Sequence, residues 1–289
     1  MEPWTKLPVI VRAVAVGLIA AAAGTVVWAR LISANIHHGS QLPWSVPIMA
    51  VYLVVYWRYF ARGDWWPAAT RVPRRQNARA NTISDEAWGM SFVAGFLGLV
   101  SILLLQGVMS RLVTLPQQHD VDPSQFPLGT VTLWVIMSAL VAGIVEETAF
   151  RGYIQRPIEQ RYGPVVAILV TGSLFAFGHF SHPEVGIVLL PYYLAVAAVY
   201  GSLAYFTDST LPSIVLHAGG NMFSAIDLFT RGRSEWQLST TAPKLIWETG
   251  ADAAFVGSVL ALLVVSALTV AAFVALSRTS RARAPARAA

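Results

Sequence analysis

The sequence predicts an all-α, polytopic transmembrane helix bundle of about eight transmembrane helices. Three observations carry this prediction. Only 12% of the residues are charged, where a soluble domain carries about 25%. Mean hydropathy is +0.57. Apolar runs near the roughly 20 residues needed to cross the hydrocarbon core recur along the whole chain.

The first run, Val9–Leu31, follows Lys6 and is rich in alanine. Seven further runs follow it, so it reads as a retained anchor and not a signal peptide. The second, Val46–Phe60, is short and ends in an aromatic, basic cluster. Trp88–Val108 and Val131–Phe150 are full-length spans, Pro164–Phe180 is short, and Val185–Phe206, Leu211–Phe229 and Ala253–Leu276 complete the set. No internal repeat or soluble domain interrupts them. Residues 1–289 read as one transmembrane domain, with a motif-bearing core at 131–229 and a basic, disordered tail at 277–289.

Loop charge sets the expected orientation. With the N-terminus in the cytoplasm, fourteen of the twenty Lys and Arg fall on that side and five on the other, with Arg12 inside the first helix. This asymmetry predicts cytoplasmic termini in a multi-pass protein of the plasma (inner) membrane. The net charge of +5 then belongs to basic loops and not to nucleic-acid binding, and the arginines of Arg71–Arg79 read as topology determinants. Ten Trp and nine Tyr suit interfacial belts. The chain has no cysteine, which excludes disulfides, thiolate nucleophiles and cysteine-ligated zinc.

Ionisable groups inside spans are costly and face a protein interior or a wet cavity. Four places carry them: Glu146, Glu147 and Arg151 in "EETAFR"; "FAFGH", Phe175 to His179; "HAGGN", His217 to Asn221; and Asp227 near a helix end. Glu146 and His179 lie 33 residues apart, with "RYGP" halfway between. Gly followed by Pro signals a turn. A hairpin turning there, with about 1.5 Å rise per residue, brings the carboxylate and the imidazole to one height. The same register makes Gln155, Arg156, Glu159 and Gln160 project beyond the bilayer. His217 and Asn221, four apart, share a helix face, and Gly219 and Gly220 between them allow close approach of a neighbour. At about 100° per residue, Glu146 and Glu147 cannot both face one cavity centre. Glu147 therefore pairs with Arg151, four residues on, and leaves Glu146 for chemistry. Phe175 shares the His179 face.

A carboxylate beside an imidazole can hold and deprotonate water. A histidine and an asparagine can donate to a developing oxyanion. The parts make a hydrolase of carbonyl compounds. Alternatively Glu146, His179 and His217 form a His₂Glu zinc site with an open position, and the residues alone leave the metal-free and zinc versions equally open. Bland assignments fall to His182 and Glu184 in "SHPE" and to His37 and His38, all read as loop residues.

In this order and on these spans, "EETAFR", "FAFGH" and "HAGGN" resemble the EExxxR, FxxxH and HxxxN motifs of the CPBP family, the CAAX-protease and bacteriocin-processing (Abi) intramembrane peptidases. The resemblance covers about Val131 to Phe229. It implies an eight-helix fold related to the Rce1-type prenyl-protein endopeptidases. It also implies that Glu146 and His179 activate the water, that His217 and Asn221 form the oxyanion hole, and that the partner is a membrane-bound or lipidated protein. Two other classes fit the same residues: a non-catalytic scaffold or bacteriocin-immunity protein, and a proton-coupled transporter with Glu146 and His179 as relay.

Overall fold

A computed structural model describes residues 3–39, 41–114, 125–179, 183–231 and 243–282. His182 and residues 283–289 lie outside these, as do the side chains of Glu184 and Asp227. The described residues are helical, with no strand among them. In chain order they form α1 (Val9–His37), α2 (Ser45–Tyr56) ending in a π-turn (Trp57–Ala61), α3 (Arg71–Ala78), α4 (Asp85–Leu112) and α5 (Leu128–Val141). A π-helix (Ala142–Ile154) leads from α5 into α6 (Gln155–Tyr162). Then come α7 (Pro164–Gly178), α8 (Pro183–Thr207), α9 (Leu211–Arg231), the single turn α10 (Ile246–Thr249) and α11 (Ala253–Ala282).

Five stretches are long and apolar enough to cross a membrane: Val9–His37, Asp85–Leu112, Leu128–Tyr162, Gly186–Thr207 and Ala253–Ser280. Ser45–Ala61 and Pro164–Gly178 are shorter apolar helices, at the places where the sequence predicts short spans. The protein is a multi-pass, all-α integral membrane protein. Helix α11 runs through Ala282, so the first six residues of the predicted disordered tail continue the helix. His37 ends α1 and His38 caps it, which makes them helix-terminal and not loop residues.

The chain divides into two compact units. The first comprises Met1–Asn81, Val121–Ala167 and Ser213–Ala225. Its core gathers Trp28, Met49, Leu53, Tyr56, Trp134, Met137, Val141 and Val145. Without a hydrophobic force between spans, helices associate through tight packing over small residues. Accordingly, a Cβ added at Gly24 of α1 would lie 2.3 Å from Val145 Cγ2 of the π-helix. Trp28 Nε1 donates to Ser138 Oγ at 2.9 Å, which satisfies the one polar atom of a buried indole. The predicted hairpin turn is present: α6 stops at Gly163 (φ +84) and Pro164 opens α7. Glycine reaches that φ without a Cβ clash, and proline suits a helix start.

The second unit comprises Thr82–Asp120, Ile168–Pro212 and Ile226–Ala289. Within it α4 packs against both α8 and α11. Ser84 caps α4 by accepting from Ala87 N–H at 3.3 Å, a short polar side chain standing in for a missing helical carbonyl. Asp252 does the same for α11, accepting from Phe255 N–H at 2.8 Å. Its carboxylate also meets Arg111 at 3.0 Å.

Candidate active site

The motif helix departs from α-geometry. Residues 142–154 form a π-helix, so the run i→i+5 spans both glutamates and Arg151. Such helices are rare beyond a single turn and occur frequently at functional sites. A π-turn holds more residues than an α-turn, and each residue rotates through less than the α-helical 100°. The expectation that Glu146 and Glu147 must diverge is corrected on this point: both reach the His217 ring. Nδ1 lies 2.8 Å from Glu147 Oε1, and Nε2 lies 3.9 Å from Glu146 Oε2.

The rest of this cluster is buried. Glu147 and Arg151 are fully inaccessible and pair at 3.4 Å, the predicted partnership. Ser213 adds a side-chain hydrogen bond to Glu147. Because a carboxylate only accepts, His217 donates through Nδ1–H. That leaves Nε2 to accept in the neutral ring, or to donate in the charged ring. Glu146 retains slight exposure, 17% of its side chain, and among the described residues its Oε2 is buried without a hydrogen-bond partner.

Helix α9 delivers His217 by a close approach, though not through Gly219. A Cβ at Gly219 would meet nothing within 4 Å. The contact is made by Gly143 of the π-helix, where a Cβ would lie 2.8 Å from Ile214 O and 3.0 Å from Ala218 Cβ. Asn221, one α-helical turn beyond His217, is half-buried.

His179 and Phe175 belong to the second unit and are described within it. His179 follows the last residue of α7 and is exposed. Its Nδ1 donates to Phe175 O at 2.8 Å, since a carbonyl can only accept, so Nε2 carries the lone pair of the neutral ring. The imidazole lies against two aromatic rings, Phe175 at 4.4 Å and Tyr193 at 5.0 Å between centroids. Both histidines thus commit Nδ1 and present Nε2.

The arginines of the α2–α4 connection are more than topology signals. Arg74 is buried and donates to the carbonyls of Tyr59 (2.7 Å), Trp65 (2.5 Å), Pro67 (3.2 Å) and Thr70 (3.3 Å). Arg79, 1% exposed, pairs with Glu159 at 2.6 Å and donates to Arg151 O at 2.9 Å. Gln155 and Glu159, expected to project beyond the bilayer, are buried in protein. Arg79 sits at φ +38, and α3 comes close enough that a Cβ on Gly152 would lie 3.1 Å from Ala78 Cα. The arm thereby braces the π-helix where it returns to α-geometry. Sequence reasoning missed this role because Arg79 and Glu159 are 80 residues apart and neither stands in a motif.

The zinc alternative requires three ligands. Among the described residues no three His, Asp or Glu side chains come together to hold a metal ion. Glu146 and His217 of the first unit supply two of the donors that alternative names, and the third, His179, belongs to the second unit.

No curated protein matches the chain, and no solved structure matches it. One family model does: Rce1-like, the type II CAAX prenyl endopeptidase, over residues 128–223. That segment contains Glu146, Glu147, Arg151, His179, His217 and Asn221. Over that segment, about a third of the chain, the protein is similar to the Rce1-like type II CAAX prenyl endopeptidases.

Proposed function

We propose that the protein is an intramembrane endopeptidase that hydrolyses a peptide bond in a membrane-associated or prenylated, CAAX-type protein. The observation that carries this reading is a single imidazole held by one buried carboxylate, Glu147 at 2.8 Å, and facing a second, Glu146 at 3.9 Å. A water beside Glu146 loses a proton to that carboxylate as the water oxygen attacks the carbonyl carbon. The tetrahedral oxyanion accepts from Nε2–H of a charged His217 and from the Asn221 amide. Glu146 then returns its proton to the departing amine as the C–N bond breaks. The motif resemblance assigns His179 to the same water, and its Nε2 lone pair suits that task. Glu147, Arg151 and Ser213 orient the His217 ring, and Phe175 backs His179. The termini face the cytoplasm of the plasma (inner) membrane, and the substrate approaches in the lipid plane.

The test uses the purified full chain in proteoliposomes. A farnesylated CAAX peptide, its unprenylated counterpart and an unlipidated membrane-inserted peptide serve as substrates. Cleavage of a membrane-bound peptide that disappears in Glu146→Gln is the expected result. Wild-type rates in both Glu146→Gln and His217→Ala overturn the reading. A scaffold or immunity protein would keep its cellular effect after Glu146→Gln.

A further inference from the structure

The aromatic end of α2 takes no part in the chemistry above, yet it is a constructed cavity. About 300 Å³ of space is lined by Val55 and six aromatic side chains, Tyr52, Tyr56, Tyr59, Phe60, Trp65 and Trp66. This lies at the low end of ligand-pocket volumes, about 300–1,000 Å³. Two of its tyrosines turn their hydroxyls into the protein. Tyr52 donates to Ala23 O at 2.5 Å, and Tyr56 lies 3.2 Å from Ala20 O and 3.4 Å from Val145 O. The cavity is therefore faced by ring carbon.

Its outer wall is held in place by a buried charge. Arg74 ties together the carbonyls of Tyr59, Trp65, Pro67 and Thr70 and lies 4.1 Å over the Tyr59 ring. This arginine touches no carboxylate in doing so. It fixes the loop that brings Trp65 and Trp66 over the cavity, and both indoles remain exposed, Trp66 at 79%.

The rim is basic. Arg58, Arg62, Arg71 and Arg75 are exposed along the same stretch. Asp64 is its single acidic residue between 45 and 81, and it lies 3.9 Å from Arg62. Aromatic rings and arginines at the end of an apolar helix mark a membrane–water interface. Exposed juxtamembrane arginines there attract anionic headgroups, and guanidinium suits phosphate geometry.

We infer that this cavity is a binding site for an anionic phospholipid, with part of one acyl chain against the aromatic wall and the phosphate among the exposed arginines. The exposed positive charge along this stretch favours this occupant over an uncharged prenyl chain. The inference does not rest on the peptidase reading.

The test is native mass spectrometry of the full chain in detergent, with equimolar phosphatidylglycerol and phosphatidylcholine. The expected result is retention of one phosphatidylglycerol at least fivefold over phosphatidylcholine. That ratio should fall to near one in Arg58→Gln/Arg71→Gln, while Trp66→Ser should lower retention of both lipids. Glu146→Gln should keep the full preference, which separates this site from the chemistry. Equal retention of the two lipids by the wild type overturns the inference. So does displacement by glycerol phosphate, which would mean an anion patch without a chain site, or by a farnesylated peptide at equal concentration, which would give the cavity to substrate. Melting temperature of each variant identifies any that fail to fold, and Trp66→Phe replaces Trp66→Ser in that event.

Discussion

The two compact units treat charge in opposite ways. Among the described residues, every buried Arg, Glu and His side chain belongs to the first unit: Arg74, Arg79, Glu147, Arg151, Glu159 and His217. The second unit buries only uncharged polar groups such as Ser91, Gln106 and Thr269. Its ion pair, Arg111 with Asp252, stands at an accessible helix end, and its motif histidine, His179, is exposed between aromatic rings. Burying charge is unfavourable unless each group finds a partner, and loss of one partner is then strongly felt. The first unit accepts that cost around one imidazole and one π-helix, as a preorganised site requires. The second serves as apolar packing around a single presented ring.

The sharpest way to break this comparison is at the buried imidazole. If the first unit holds the chemistry, Glu146→Gln and His217→Ala should each lower cleavage by about 10²–10⁴-fold, measured on a membrane-bound peptide under conditions where the variants stay folded. His179→Gln should lower cleavage by a comparable factor and leave the melting temperature near wild type, because the exposed ring shares only a local carbonyl bond and ring contacts. A large loss of stability there would show that His179 is a packing residue and remove the contrast.

The second-largest effect concerns stability. Arg79→Met leaves Glu159 buried, with Arg156 at 3.0 Å as its remaining charged partner, and should destabilise the protein by about 3–5 kcal/mol. Chemical denaturation in detergent measures this, and Arg79→Met/Glu159→Met should recover most of the loss. An unchanged midpoint in the single variant would sink the bracing role given to the arm.

The smallest effect lies in the second unit. The Phe255 N–H and the nearby Arg111 hold the Asp252 carboxyl below the usual carboxylate range. A depressed carboxyl contributes stability that is complete above its unfolded-state pKa and is lost as pH falls through the folded value. Asp252→Asn should therefore leave the neutral-pH melting temperature almost unchanged and flatten only its decline at acid pH. A clear loss at neutral pH would mean that the exposed pair matters more than its accessibility allows.

The helical class, seven of the eight predicted apolar segments and the Gly163–Pro164 turn were legible because each depends on neighbours in the chain: run length, hydropathy and backbone restrictions. The Glu147–Arg151 pair was legible for the same reason, being four residues apart. The π-geometry was not, since α-periodicity was assumed for "EETAFR", and it changed where both glutamates point. The bracing arginines were hidden as well: Arg74 and Arg79 look like their exposed neighbours Arg71 and Arg75 until the carbonyls and the carboxylate they meet are known.

By itself, then, the sequence determined that this chain spans a membrane as helices and that its costly polar groups concentrate in three motifs. Hydropathy and motif spacing are properties of consecutive residues. Tertiary structure alone decided that His217 stands between two carboxylates, that Gly143 and not Gly219 makes the close contact, and that Arg79 closes onto Glu159. Those outcomes depend on partners 70 to 80 positions distant. Only burial against a packed neighbour selects which of several identical charges must be paired.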